Sequence, residues 1–158
     1  MSPEVRPGPV VLRPARPADL PALSALCLRS KAHWGYDADF INACRDELTL
    51  HPRDLQTSDI QVAEQDATLL GMVAISRGRD PAELSSLFIE PKAIGTGLGK
   101  TLFDWAVAQA RAEGAQAVRA ESDPFAEAFY ASMGMVRIGE SPSGSIPGRV
   151  LPLMQLRL

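Results

Sequence analysis

The sequence predicts an α/β fold, one mixed sheet flanked by helices in the order βααβββαβαββ. Four observations carry that expectation. The chain has 158 residues, enough for one domain with a sizeable core and too few for two ordinary ones. It is 46% apolar and 22% charged, a globular balance. It contains no apolar run near the ~20 residues that span a membrane. Its apolar residues switch between strand-like alternation and helical spacing, with no internal repeat and no linker.

Residues 1–9 are rich in Pro and Gly and are expected to be disordered, leaving residues 10–158 as a single domain. Val10 to Leu12 reads as a short strand. Pro17 and Asp19 open a helix that carries Leu20, Leu23, Leu26, Cys27 and Ser30 at helical spacing and runs to about Lys31. Asp37 caps a second helix through Leu48, closed by His51-Pro52. Ile60 to Ala63 and Ala67 to Ser76 form an antiparallel hairpin around Gln65-Asp66. Both faces of its second strand are apolar, which places that strand inside the sheet. A turn over Arg77–Pro81 precedes a strand starting at Ala82. A helix bearing Leu98, Leu102, Trp105, Ala106 and Ala110 on one face stops at Gly114. Gln116 to Glu121 is a strand, and Pro124 opens a short helix ending at Gly134. Met135 to Gly139 and Val150 to Leu158 are strands around a breaker-rich loop, Ser141 to Gly148.

The stretch from Leu84 to Trp105 is the most informative. A strand ends at Pro91, and Gly95, Gly97 and Gly99 follow at alternate positions as a helix begins. Glycines there let main-chain N–H groups approach a ligand closely. The helix start adds unpaired N–H groups and the positive end of its dipole, so the stretch suits a phosphate-bearing ligand. An ordinary turn is the competing account. The P-loop spacing fails because Ile94 stands where its first glycine belongs, and the dinucleotide fingerprint fails at Lys100.

Ile94-Gly95-Thr96-Gly97-Leu98-Gly99 resembles the pyrophosphate loop of the GCN5-related N-acetyltransferases, whose pattern is Gln/Arg-x-x-Gly-x-Gly/Ala after an apolar strand. Ile94 departs from the usual Gln/Arg. Phe129-Tyr130-Ala131-Ser132-Met133-Gly134-Met135 resembles the family's Phe-Tyr-x-x-x-Gly-Phe, with Asp123 where the family often has Asn. The element order from Val10 to the C-terminus matches as well.

This resemblance implies a mostly antiparallel, acyl-CoA N-acyltransferase-like sheet and a direct transfer from acetyl-CoA to a primary amine of a small molecule or peptide. It implies cofactor contacts from Leu87, Phe88 and Ile89, from Ile94, Gly95, Thr96, Gly97, Leu98, Gly99 and Lys100, and from Asp123 and Phe129. It makes Tyr130 the general acid for the departing thiolate; a helix aromatic filling the core beside Phe129 is the alternative. A lysine-like amine, with a pKa of about 10.4, arrives protonated and needs a base. Glu83 is the first choice, sharing a face with Ser85, Leu87 and Ile89 if strict alternation holds; an exposed carboxylate at a strand start explains it equally. His33, Trp34 and Tyr36 lie where the family walls its acceptor site, and aromatic faces attract ammonium groups. A hydrophobic plug between two helices would also account for them. A non-catalytic acyl-CoA-binding sensor or interaction module of the same fold is the alternative function.

A net charge of −3, spread as seven bases and eight acids in residues 1–60 and nine and eleven after, offers no basic stripe for nucleic acid. The N-terminus has no secretion signal, which points to the cytoplasm. Cys27 and Cys44 lack metal spacing and read as buried thiols; no metal is expected. Val150 to Leu158 is apolar enough to permit a homodimer.

Overall fold

The structure, a computed structural model, describes residues 6–158. The expected disordered stretch falls partly on residues 1–5, outside the described residues. Gly8 is tied down: its N–H donates to Asp66 Oδ2 at 3.0 Å, and its carbonyl accepts from Gln65 at 2.8 Å.

Strand β1 (Val11–Pro14) leads through a 3-10 turn into α1 (Leu20–Ala32). Leu20, Leu23, Leu26, Cys27 and Ser30 are its buried residues, the stripe the spacing predicts. Helix α2 (Ala38–Leu48) starts where Asp37 accepts a hydrogen bond from the Phe40 N–H at 2.8 Å. A one-turn helix α3 (Asp54–Thr57), absent from the expected order, follows His51-Pro52. Strands β2 (Ser58–Gln65) and β3 (Thr68–Ser76) form the hairpin, with Asp66 and Ala67 at positive φ in its turn. Then come β4 (Ala82–Ile89), α4 (Leu98–Ala112), β5 (Ala117–Glu121), α5 (Glu127–Ser132), β6 (Val136–Pro142) and β7 (Val150–Arg157).

The seven strands make one sheet in the order β1-β2-β3-β4-β5-β7-β6. Every pairing is antiparallel except β4 with β5, so the sheet is mixed and mostly antiparallel. β3 is interior, between β2 and β4, as its two apolar faces require. One face of the sheet packs on α4, where Leu102, Phe103, Ala106 and Ala110 meet Val73, Ile75, Leu84 and Val118. The other face packs on α1, where Leu23 and Cys27 meet Ile60, Val62, Met72 and Ala74. No helix among the described residues is long and apolar enough to cross a membrane.

β6 runs to Pro142 rather than Gly139, and it can do so because it is an edge strand. A proline on an edge loses no ladder hydrogen bond on its free side. Gly71 on β3 leaves no room for a Cβ between the sheet and α4. A methyl group there would stand 2.9 Å from Ile89 Cδ1, 3.1 Å from Leu102 Cδ1 and 3.1 Å from the Phe88 carbonyl oxygen. Gly71→Ala is therefore expected to destabilise the fold by about 1–3 kcal/mol through overpacking. A lowered urea midpoint at unchanged slope is the readout, and a midpoint equal to wild type would contradict it.

Candidate active site

Strand β4 pairs with β5 only through Ala82–Val118 and Glu83–Arg119. Beyond that point β4 keeps its partner on β3 and parts from β5, so one main-chain edge of Leu84–Ile89 faces a cleft. A cavity of about 830 Å³ fills the cleft. It runs from Ile94, Gly95, Gly97, Gly99 and Lys100, along Leu87–Ile89, past Phe129 and Tyr130. Cys44 and Glu47 of α2, together with Ser145 and Arg149 of the β6–β7 loop, line it as well.

The glycines are there for two different reasons. Gly95 and Gly97 have φ of +84° and +86°, left-handed values that favour glycine, and a Cβ on either would meet nothing within 4 Å. Gly97 is the N-cap of α4, so the N–H groups of Leu98, Gly99 and Lys100 have no partner within the helix. Gly99 answers to packing, since a Cβ there would press on the Phe129 ring at 3.3 Å. Two of the expected cofactor residues offer main chain only: Leu98 buries its side chain in the core, and the Thr96 hydroxyl donates to the Ala93 carbonyl at 2.6 Å. Lys100 pairs with Asp104 at 2.6 Å on the exposed face of the helix.

Tyr130 sits on α5 with its ring among Phe103 and Phe129, centroids 6.2 and 5.4 Å away. It is buried yet reaches the cavity wall, and its hydroxyl makes no hydrogen bond among the described residues. Burial first, and the charge of Asp123 second, push the phenol above its ordinary pKa. It stays protonated through the neutral range.

Asp123 is the hub of a polar cluster. Its carboxylate accepts from the Phe125 N–H at 2.9 Å and from the Tyr36 hydroxyl at 3.0 Å. It also pairs with Lys31 at 3.1 Å and with Arg149 at 3.4 Å. Burial alone would raise its pKa, but the Phe125 N–H, Lys31 and Tyr36 outweigh burial and hold it below the usual carboxylate range. Arg149 donates to the Tyr36 oxygen at 2.7 Å and lies 4.9 Å from the Phe40 ring centroid. The cluster joins the end of α1, the α1–α2 loop, the β5–α5 connection and the β6–β7 loop into one wall.

Of the three residues expected to wall an acceptor, Trp34 lines the cavity, stacked on Phe125 at 5.6 Å with planes 3° apart. His33 meets the edge of Trp34 and is not part of the lining. Tyr36 stands behind the wall, held by Asp123 and Arg149, and burial and Asp123 raise its pKa to about 12.

Glu83 lines the cavity, half exposed, with Arg79 at 3.6 Å. The expectation that it shares a face with Ser85, Leu87 and Ile89 is corrected by a bulge. Ile75 pairs with Leu84 and Ala74 with Ser86, so Ser85 is an extra residue in β4 and the alternation reverses there. Leu84, Leu87 and Ile89 share the α4 face, while Glu83 shares the α1 face with Ser86 and Phe88. Lys31, Glu121, Phe125 and Arg149 also line the cavity and were not anticipated; their places depend on pairings between distant segments. For Phe125 a Pro-Phe pair in the turn before Tyr130 was the one local signal.

A model of the GNAT acetyltransferase domain matches residues 38–145. The peptidyl-lysine N-acetyltransferase YiaC of Escherichia coli (strain K12) is 37% identical over 97 residues, 60% of this chain and 63% of that protein. The match thus spans less than two thirds of that relative's length. A GCN5-related N-acetyltransferase from Rhodopseudomonas palustris superposes with a TM-score of 0.81 at 21% identity, over 99% of this chain and all of that one. The PaiA N-acetyltransferase of Thermoplasma acidophilum, solved with coenzyme A, gives 0.77 at 20% identity, over 96% of this chain and all of that one. At these identities the likeness is one of fold.

Proposed function

The chain belongs to the GNAT acetyltransferase family, and from that premise we propose that it moves an acetyl group directly from acetyl-CoA to a primary amine of a small molecule or peptide. One observation carries this reading: the parting of β4 from β5 opens a single cavity with the glycine-capped start of α4 at one end and Tyr130 on its wall. The N–H groups of Leu98, Gly99 and Lys100 hold the diphosphate at the positive end of the helix. The main-chain edge of Leu87–Ile89, where the Ile89 N–H already donates to the Ser30 hydroxyl at 3.3 Å, offers its remaining groups to the amide-rich arm, which directs the thioester toward Tyr130.

The acceptor enters from the α1–α2 side, past Trp34. Glu83, through water, takes the ammonium proton. The amine nitrogen then attacks the thioester carbonyl carbon, the C–S bond breaks, and the sulfur leaves as a thiolate. Tyr130 meets that charge with its O–H. The attacking nitrogen gives up its second proton, which reaches the thiolate by way of the Tyr130 hydroxyl, so the acetyl group ends on a neutral amide nitrogen and the cofactor leaves as the free thiol.

The deciding experiment is thiol release from acetyl-CoA across polyamines, amino acids, aminoglycosides and a lysine peptide. Turnover on any of them supports the reading. Coenzyme A binding with no turnover on any would replace it with a non-catalytic acyl-CoA module.

Glu83→Gln carries its own expectation. Without a base the variant depends on the free amine, whose fraction rises about tenfold per pH unit up to a pKa near 10.4. The loss in kcat/KM should therefore be about 30-fold at pH 6.5 and shrink as pH rises. A profile parallel to wild type at every pH would remove Glu83 from proton transfer.

A further inference from the structure

Ser30, near the end of α1, lines the cavity as a buried polar side chain, only 7% exposed. Its oxygen accepts the Ile89 N–H at 3.3 Å. That N–H belongs to the open side of β4. The Glu90 N–H donates to the Leu70 carbonyl of β3 at 2.7 Å, and Phe88 sits opposite Met72. The main-chain groups of Leu87 and Ile89 therefore point away from β3, into the gap that β5 leaves.

The Ser30 hydroxyl is half used. A hydroxyl can accept and donate at once. Ser24, on the same helix, does both: it donates to the Leu20 carbonyl at 2.8 Å and accepts from the Leu50 N–H at 2.9 Å. The Ser30 proton has no acceptor among the described residues. A buried donor left without an acceptor is costly, and the cavity that Ser30 lines is where one can arrive.

The hydroxyl is also held in place from both sides. Arg29 donates to the two Glu90 oxygens at 2.9 and 2.7 Å, and Lys31 pairs with Asp123 at 3.1 Å. Three successive residues thus tie the end of α1 to β4 and to the β5–α5 connection, with Ser30 in the middle.

We propose that Ser30 binds the cofactor: its hydroxyl keeps the Ile89 N–H and donates its own proton to an amide carbonyl of the acetyl-CoA arm. This rests on the reading of the cavity as the acetyl-CoA site. Along that cavity Ile89 comes after the glycine loop and before Tyr130, so the arm passes it and the diphosphate does not. Accepting the N–H polarises the O–H and makes it a stronger donor. In the competing arrangement the hydroxyl turns aside when the cofactor arrives and leaves the Ile89 N–H to the arm.

The test is calorimetric titration of coenzyme A and of 3′-phospho-ADP, which keeps the diphosphate and lacks the arm. Ser30→Ala should weaken coenzyme A binding about tenfold and 3′-phospho-ADP binding by less than about twofold. Alanine suits a helix, and retained 3′-phospho-ADP binding shows that the variant is folded. Ser24→Ala is the control, since Ser24 does not line the cavity; it should leave the ratio of the two affinities unchanged. Ser30→Ala binding coenzyme A as tightly as wild type, or tighter, means that the hydroxyl only masks the N–H and overturns the inference. Equal losses for the two ligands make Ser30 a packing residue and overturn it as well. In both cases a wild type that prefers coenzyme A to 3′-phospho-ADP leaves the reading of the cavity standing. A wild type without that preference removes the arm from the cleft and sinks both.

Discussion

Gly97→Val is expected to weaken coenzyme A binding about 100-fold. The φ of Gly97 is +86°, and as the N-cap of α4 it precedes N–H groups that have no partner within the helix, with Gly97, Gly99 and Lys100 lining the cavity. A β-branched residue at that φ costs at least ~1–2 kcal/mol. The free variant escapes the strain by rotating Gly97 out of the left-handed region, which carries the Leu98 and Gly99 N–H groups with it. Binding must then restore the strained loop or give up charge-assisted hydrogen bonds worth ~1.5–3 kcal/mol each. A total near 3 kcal/mol corresponds to about two decades in Kd.

Gly114→Val is the matched control. Gly114 has φ +89° at the far end of the same 15-residue helix, about 25 Å away by helical rise, and it does not line the cavity. It should lower Tm by several degrees, about 2–4 °C per kcal/mol, and leave coenzyme A affinity within about twofold. Calorimetry on both variants decides the matter. If the two lose affinity equally, or if Gly97→Val binds like wild type, the glycine loop is an ordinary turn.

The contrast among the three glycines shows what local sequence can disclose. Left-handed φ at a helix start is a demand of the backbone itself, so the turn at Gly95 and Gly97 was legible in the sequence. Gly99 is required by the ring of Phe129, thirty residues later, and nothing near Gly99 reports that. The strand faces show the same division. Period-2 alternation assigns Glu83 and Leu87 to one face, and a single extra residue at Ser85 reverses the assignment. Two consecutive serines give no local warning of a bulge.

Tyr36 marks the other limit of sequence reading. An aromatic and imidazole cluster around Gly35 suits an acceptor wall, and Trp34 does line the cavity. The hydroxyl of Tyr36, however, is claimed by Asp123 and Arg149, residues 87 and 113 positions away. Asp123 likewise stands where a cofactor contact was expected and serves as the knot of a cluster that pins the β6–β7 loop beside the cavity. Arg149 gave no signal at all. It lies at the end of a stretch rich in Ser, Pro and Gly, and its value arises from where that loop folds back.

Tyr130→Phe is expected to lower kcat by about 10²–10⁴ while KM for acetyl-CoA stays within about threefold. The hydroxyl makes no hydrogen bond among the described residues, and the ring's packing against Phe103 and Phe129 is kept by phenylalanine. Tm should therefore move by no more than about 2 °C. The direction of the pKa shift refines the role. Burial and Asp123 hold the phenol above its ordinary value of about 10, while a free thiol titrates near 8.5. A donor weaker than the thiol would stabilise a departing sulfur through a hydrogen bond more than by complete proton release. Because the shift is upward, the active neutral phenol persists to higher pH, and wild type should show no alkaline loss from Tyr130 below about pH 10. The deficit of Tyr130→Phe should accordingly be flat from pH 6.5 to 9, in contrast to the sloping deficit of Glu83→Gln. Single-turnover measurement of acetyl-CoA consumption separates the chemical step from product release. An unchanged single-turnover rate would return Tyr130 to the hydrophobic core as a packing residue.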